Sequence, residues 1–122
     1  MWPMDVINLA GMLDRIDEVW SPRIVAQMND LHVKLVKVEG EFVKHRHQET
    51  DELFLVISGS LVIELPDGPR TLQPGEMLVV PKGVDHRPVA PEPTELLLLE
   101  PAGTDNRGDD GGGTTGEWLR ND

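Results

Sequence analysis

Two hydrophobic rhythms divide the chain. Val6, Leu9, Leu13, Ile16 and Trp20 recur every three or four residues behind Asp5, a helix-capping residue type, which predicts one amphipathic helix ending before Ser21-Pro22. From Ile24 onward the texture changes to short Val, Leu and Ile runs broken by Gly, Pro and Asp, as in an all-β sandwich or barrel. Strands are predicted over residues 24–28, 31–38, 41–47, 53–58, 60–65, 70–73, 77–80, 85–89 and 94–100. Ser58-Gly59-Ser60, Pro66-Asp67-Gly68 and Gln73-Pro74-Gly75 supply turn chemistry between them. Beyond Pro101 the run from Gly103 to Asp122 is rich in Gly, Asp, Thr and Asn and too poor in apolar residues to order itself. The expected organisation is a helical segment over 1–22, a barrel domain over 23–102 and a flexible tail over 103–122, dispensable for folding, with Trp118 and Leu119 as its only anchors.

Composition narrows the chemistry. A chain of 122 residues builds one hydrophobic core and not two. With no cysteine in the chain, disulfides, thiolate metal sites and cysteine nucleophiles are excluded, so any metal must be held by nitrogen and oxygen. The formal charge of −11 and the scattered Lys and Arg argue against nucleic-acid binding. Met1 leads to Asp5 and Asp14 rather than to a basic stretch and a long apolar run, so neither a signal peptide nor a membrane span is expected, and a cytoplasmic location follows by default.

The candidate chemistry lies between Gly40 and Gly59. On a strand, residues two apart share a face, so His45 and His47 point together into the barrel while Lys44 and Arg46 point away. Glu52 opens the next apolar run and faces inward with Phe54 and Val56, and His86 follows the turn Pro81-Lys82-Gly83 from a different strand. Three imidazoles and a carboxylate suit zinc, iron, manganese, nickel or copper, and a metal is the simplest counter-charge for a buried Glu52. His32, alone in its strand, reads as an ordinary histidine; Lys44, Arg46, Glu49 and Asp51 read as a solvated rim; Met28 and Met77 read as core fillers.

Gly40-x4-His45-x-His47-x4-Glu52-x6-Gly59 resembles the first motif of the cupin family, and Gly75-x5-Pro81-x-Gly83-x2-His86 resembles the second. The first motif has four residues between Gly40 and His45 where five are more usual, and Ala90 stands where the second often ends in Asn. The resemblance implies a cupin jelly-roll β-barrel, usually a homodimer, with one divalent metal ion per chain held by His45, His47, Glu52 and His86. It implies a metal-dependent enzyme of the dioxygenase, decarboxylase or isomerase type acting on a small organic substrate; acid/base work would then fall to Glu52, displaced from the metal, or to water. A non-catalytic ligand-binding or sensing cupin and a closed structural zinc site are the alternatives. With neither Cys nor Tyr present, a crosslinked thiol dioxygenase and a tyrosine general acid are excluded.

Overall fold

The structure is a computed structural model in which residues 4–120 are described. One short helix, α1 (Leu9–Leu13), precedes strands β1 (Arg23–Met28), β2 (Leu31–Glu41), β3 (Glu52–Ser58), β4 (Leu61–Leu65), β5 (Gly68–Leu72), β6 (Met77–Val80) and β7 (Arg87–Pro101), and the two-residue β8 (Glu117–Trp118) closes the series. The long strand β7 organises the barrel. It runs antiparallel to β2 from Leu31 opposite Pro101 to Val38 opposite Thr94, and again with Gly40 opposite Ala90. Its first part also pairs with β4 and its second with β3, whose other edge takes β6. The two strands expected over 85–89 and 94–100 are therefore one. Pro91, Glu92 and Pro93 fall where the register with β2 shifts, a place where the missing proline N–H groups cost no ladder bond.

Alternation on these strands builds two cores. Inward-facing Val36 and Val38, Phe54 and Val56, and Leu96 and Leu98 join Leu61, Ile63 and Leu72 inside the barrel. Full burial of such a side chain contributes about 1.5–3 kcal/mol. The opposite phase, Val33, Leu35, Ile57 and Leu97, packs outside the barrel against Met12, Leu13, Ile16 and Leu119. Gly59 turns between β3 and β4 at φ +85°, and a Cβ there would overlap Thr94 Oγ1 and lie 2.6 Å from the Pro93 carbonyl oxygen, so only glycine suits this corner.

Several expectations are corrected. The helix is much shorter than the 6–20 pattern: Asn8, not Asp5, caps it through a 2.8 Å bond from Gly11 N to Asn8 Oδ1. Val6 is 89 % exposed, whereas Met12, Leu13 and Ile16 are buried; so brief a helix is held by packing, not by propensity. Trp20 leaves the helical region altogether at φ 59°. No strand spans 41–47; β2 ends at Glu41, and His45 meets His86 in an isolated bridge. Met28 and Met77 are exposed rather than buried.

The segment expected as a tail apart from the barrel packs onto it. β8 runs parallel to β1, Leu119 N donates to the Ile24 carbonyl at 2.9 Å, and the Leu119 side chain is buried beneath α1. Thr104 O accepts from the buried Lys34 ammonium at 3.2 Å. Apart from the apolar anchor Leu119, backbone pairing and glycine turns order this segment, which is why a hydrophobicity reading passes over most of it.

Candidate metal centre

The four residues singled out by spacing, His45, His47, Glu52 and His86, are all buried, and one ligand atom from each lies within 4.8 Å of all the others. Ligand atoms on bonds of about 2.1 Å stand roughly 3–4 Å apart, so the group is close to the size a metal ion requires. Each residue arrives differently. Glu52 is the first residue of β3, paired with Val80 of β6. His45 and His86 exchange two backbone hydrogen bonds of 2.9 Å, which brings their ring centroids to 4.3 Å. His47, two residues on, is held by a 2.8 Å bond from Gly83 N to its carbonyl. Lys44, Arg46, Glu49 and Asp51 are exposed, as expected of a rim.

Hydrogen bonding fixes which nitrogens face the centre. Nδ1 of His45 lies 2.8 Å from the Val43 carbonyl and Nδ1 of His86 lies 3.0 Å from that of Val84. A carbonyl only accepts, so each Nδ1 carries a proton and Nε2 is the nitrogen left to ligate a metal. His86 Nε2 is 3.3 Å and His47 Nε2 3.4 Å from the same Glu52 oxygen. His47 Nε2 is buried without a hydrogen-bond partner. A cation between these nitrogens and the carboxylate would satisfy His47 Nε2 and replace the long His86–Glu52 contact. The donor set therefore fits a divalent metal ion.

Burial raises the Glu52 pKa, but hydrogen bonds and positive charge from the facing His47 and His86 more than offset it and hold the group at about 2, the part a bound cation would take over. Desolvation lowers the His45 pKa, with neighbouring His86 and His47 adding to the effect against the Val43 bond and Glu52, so this imidazole favours the neutral, ligating form.

Sequence reasoning missed a second buried layer. Glu100 is pushed up to about 9, first by burial and then by the adjoining Glu52 carboxylate, against the pull of Lys34. Lys34 Nζ lies 3.8 Å from Glu100, and both side chains are almost fully buried. Strand alternation carried a signal: Glu100 shares phase with the inward Leu96 and Leu98, and Lys34 with Val36 and Val38. His32 stays outside the centre, edge-on to Trp118 at 5.6 Å.

Beside the ligand group lies a small cavity, about 30 Å³ of it accessible to the centre of a water-sized sphere and continuous with open solvent, reached by His45 and Glu52 and walled mainly by apolar side chains including Phe54, Leu96 and Leu98. Phe54 lines it from the inward phase that strand alternation gives it. Val79 lies on the outside of β6, 46 % exposed, because alternation places Val80 inward. Trp20, Phe42 and Asn106 line the cavity too, Trp20 from the pattern read as helical, Phe42 from the strand expected over 41–47 and Asn106 from the segment expected as a tail. No helix among the described residues is long and apolar enough to cross a membrane.

Comparison with known proteins places this geometry in a family. The model for the cupin domain (Cupin_2) matches residues 32–100. An uncharacterised protein, YdbB, of Bacillus subtilis (strain 168) is 33 % identical over 81 residues, covering 66 % of this chain and 72 % of that protein. The crystal structure of a cupin-2 domain protein from Shewanella frigidimarina superposes with a TM-score of 0.78 at 51 % identity, over 79 % of this chain and 94 % of that one. A cupin-superfamily sugar phosphate isomerase from Silicibacter pomeroyi is more distant, with a TM-score of 0.53 and 26 % identity over 59 % of this chain and 50 % of the other. With both motifs converging inside a barrel of this topology, the chain belongs to the cupin family.

Proposed function

We propose that the chain is a metal-dependent enzyme acting on a small organic molecule, of the dioxygenase, decarboxylase or isomerase type. One observation carries this reading: imidazole Nε2 atoms converge on a buried carboxylate while Nδ1 of two of the rings is already committed to carbonyls. The proposed cofactor is one divalent ion per chain, chosen among zinc, iron, manganese, nickel and copper. When bound, such an ion supplies Lewis-acid polarisation of a substrate oxygen or activation of dioxygen. The protein's own part falls to Glu52, which belongs to the ligand group and also lines the cavity. Placed at both, and once displaced from the metal, it is the side chain positioned to accept and return a proton, with water as the other carrier and no Tyr or Cys in the chain to share that work. The apolar walls limit water around it.

Cobalt-loaded protein tests for an open coordination position. Adding oxalate is expected to shift the visible spectrum. Glu52→Gln is expected to alter that shift while weakening the metal only partly, because the amide offers an oxygen without the charge. A tetrahedral spectrum unchanged at saturating oxalate would instead favour a closed structural zinc site and contradict the enzyme reading.

We also propose that the protein works as a homodimer. Leu53, Leu55 and Leu99 on the outer face are only half-buried, and Val79 and Met77, which pair with Leu53 and Leu55, are 46 % and 61 % exposed. Such a contiguous apolar patch is covered at little cost by a second copy related by a two-fold axis. Light scattering at micromolar concentration is expected to give twice the chain mass of 13.6 kDa. A monomeric mass would contradict the dimer.

A further inference from the structure

The cavity beside the ligand group restricts what can bind there, and we infer that it takes a small chelating acid with an apolar acyl or aryl body and rejects phosphorylated or polyhydroxylated molecules. This rests on the metal-centre reading above and narrows it. No Lys or Arg lines the cavity among the described residues; its polar members are His45, Glu52 and Asn106. The first two belong to the ligand group. Asn106 is already engaged on both sides of its amide, donating to the Trp20 carbonyl at 3.1 Å and accepting from Thr114 N at 2.9 Å. The indole N–H of Trp20 is likewise spent on the Glu39 carbonyl at 2.9 Å. A phosphate would find no side-chain cation here, and the hydroxyls of a sugar would lose water without gaining side-chain partners from the walls.

The rim is built for an apolar body. Trp20 stacks on Phe42 with ring centroids 4.6 Å apart and planes inclined by 18°. Trp20 sits in the left-handed region at φ 59°, an unfavourable conformation for a bulky residue. It is pinned there by Trp20 N donating to the Lys37 carbonyl at 2.8 Å, together with the Glu39 and Asn106 bonds. Backbone strain held by several hydrogen bonds fixes an aromatic surface beside the metal ligands, and Phe42 lies edge-on to His45 at 5.7 Å.

Two hydroxamic acids with the same chelating head test this on cobalt-loaded full-length protein. Benzohydroxamate is expected to bind at least about tenfold more tightly than acetohydroxamate by the visible spectral shift, and Phe42→Ala to remove most of that difference while acetohydroxamate still binds. 3-Phosphoglycerate is expected to bind more weakly than benzohydroxamate. Equal affinity for the two hydroxamates, or tighter binding of 3-phosphoglycerate, would overturn the assignment and leave the metal centre intact. A spectrum that none of the three changes would overturn the open-site reading itself.

A separate observation concerns residues 104–110. The geometry points to a strap that holds the ligand-bearing residues 45–48 from outside. Those residues lie in no regular strand. Asp109 N donates to the Arg46 carbonyl at 3.0 Å, and Asp109 Oδ2 accepts from Gln48 N at 2.9 Å, so one residue grips the backbone on both sides of His47. Gly108, at φ +77°, packs so closely that a Cβ would overlap the Arg46 carbonyl oxygen and stand 3.0 Å from His45 Cβ. The strap is anchored by Thr104 O on Lys34 and by Asn106 on Trp20. Asp109 is thus a positioning residue for His45 and His47, neither of which it replaces as a ligand.

Chelator competition with zinc on the full chain tests this. Asp109→Ala is expected to weaken zinc about tenfold or more, in the range found for groups that orient metal ligands, with little change in the melting temperature of metal-free protein. Asp109→Asn, which keeps an accepting oxygen, is expected to restore affinity, and Asp110→Ala to leave it unchanged. Wild-type affinity in Asp109→Ala, or an equal loss in Asp110→Ala, would overturn the strap.

Discussion

His47→Ala is expected to abolish stoichiometric metal binding, with affinity falling by about a hundredfold or more, while the metal-free protein keeps nearly its wild-type stability. The asymmetry follows from the partners of one atom. His47 Nε2 is buried but makes no hydrogen bond in the protein, so removing it breaks no internal contact of that kind. It stands 3.4 Å from Glu52, where a cation would draw both groups together, and a site reduced to two imidazoles and one carboxylate loses a bond that no neighbour replaces. His45 and His86 differ, because each ring also donates to a carbonyl of its own segment. Isothermal titration of reconstituted protein measures the first quantity and a thermal melt of metal-free protein the second. Retained affinity in His47→Ala would remove this residue from the ligand set.

Truncation after Ala102 is expected to destabilise the protein severely. The cut deletes Leu119, buried at 6 % exposure against Met12, Leu13 and Ile16. It removes β8 from the edge of β1 and the Thr104 carbonyl from the buried Lys34 ammonium. Loss of a buried leucine contact and of a polar partner to a buried charge together cost about 4 kcal/mol. For a domain of this size that lowers Tm by roughly 10–20 °C. A truncated protein melting within about 3 °C of the full chain would show that the segment lies on the barrel without supporting it.

The ligand set was legible because it depends on local order and spacing. A two-residue step put His45 and His47 on one side even though the strand expected there is absent, and Glu52 sits at the start of a strand whose inward phase Phe54 and Val56 declare. What escaped depends on register between distant strands or on backbone contacts. Lys34 meets Glu100 because β2 and β7 align Lys34 with Leu98 and His32 with Glu100, a pairing that no local pattern specifies. Gly108 and Asp109 act on the main chain of residues 46–48, Asp109 partly through its carboxylate, which is invisible to a reading of apolar residues. The helix was overestimated for the converse reason. Its periodic residues are real, yet Ile16 reaches the same outer core from beyond the helix and Trp20 packs against the barrel interior instead.

X-ray absorption of zinc-reconstituted protein tests the central claim most directly, since it counts and identifies the atoms around the ion. The account predicts one zinc per chain with the multiple-scattering signature of three imidazoles at about 2.0–2.1 Å and an oxygen shell at about 2.0–2.2 Å that includes Glu52. Glu52→Gln and His47→Ala should then change the oxygen and imidazole shells respectively. Fewer than three imidazoles in the wild-type spectrum, or zinc bound unchanged in the His47→Ala variant, would contradict the assignment of His45, His47, Glu52 and His86 as the metal centre.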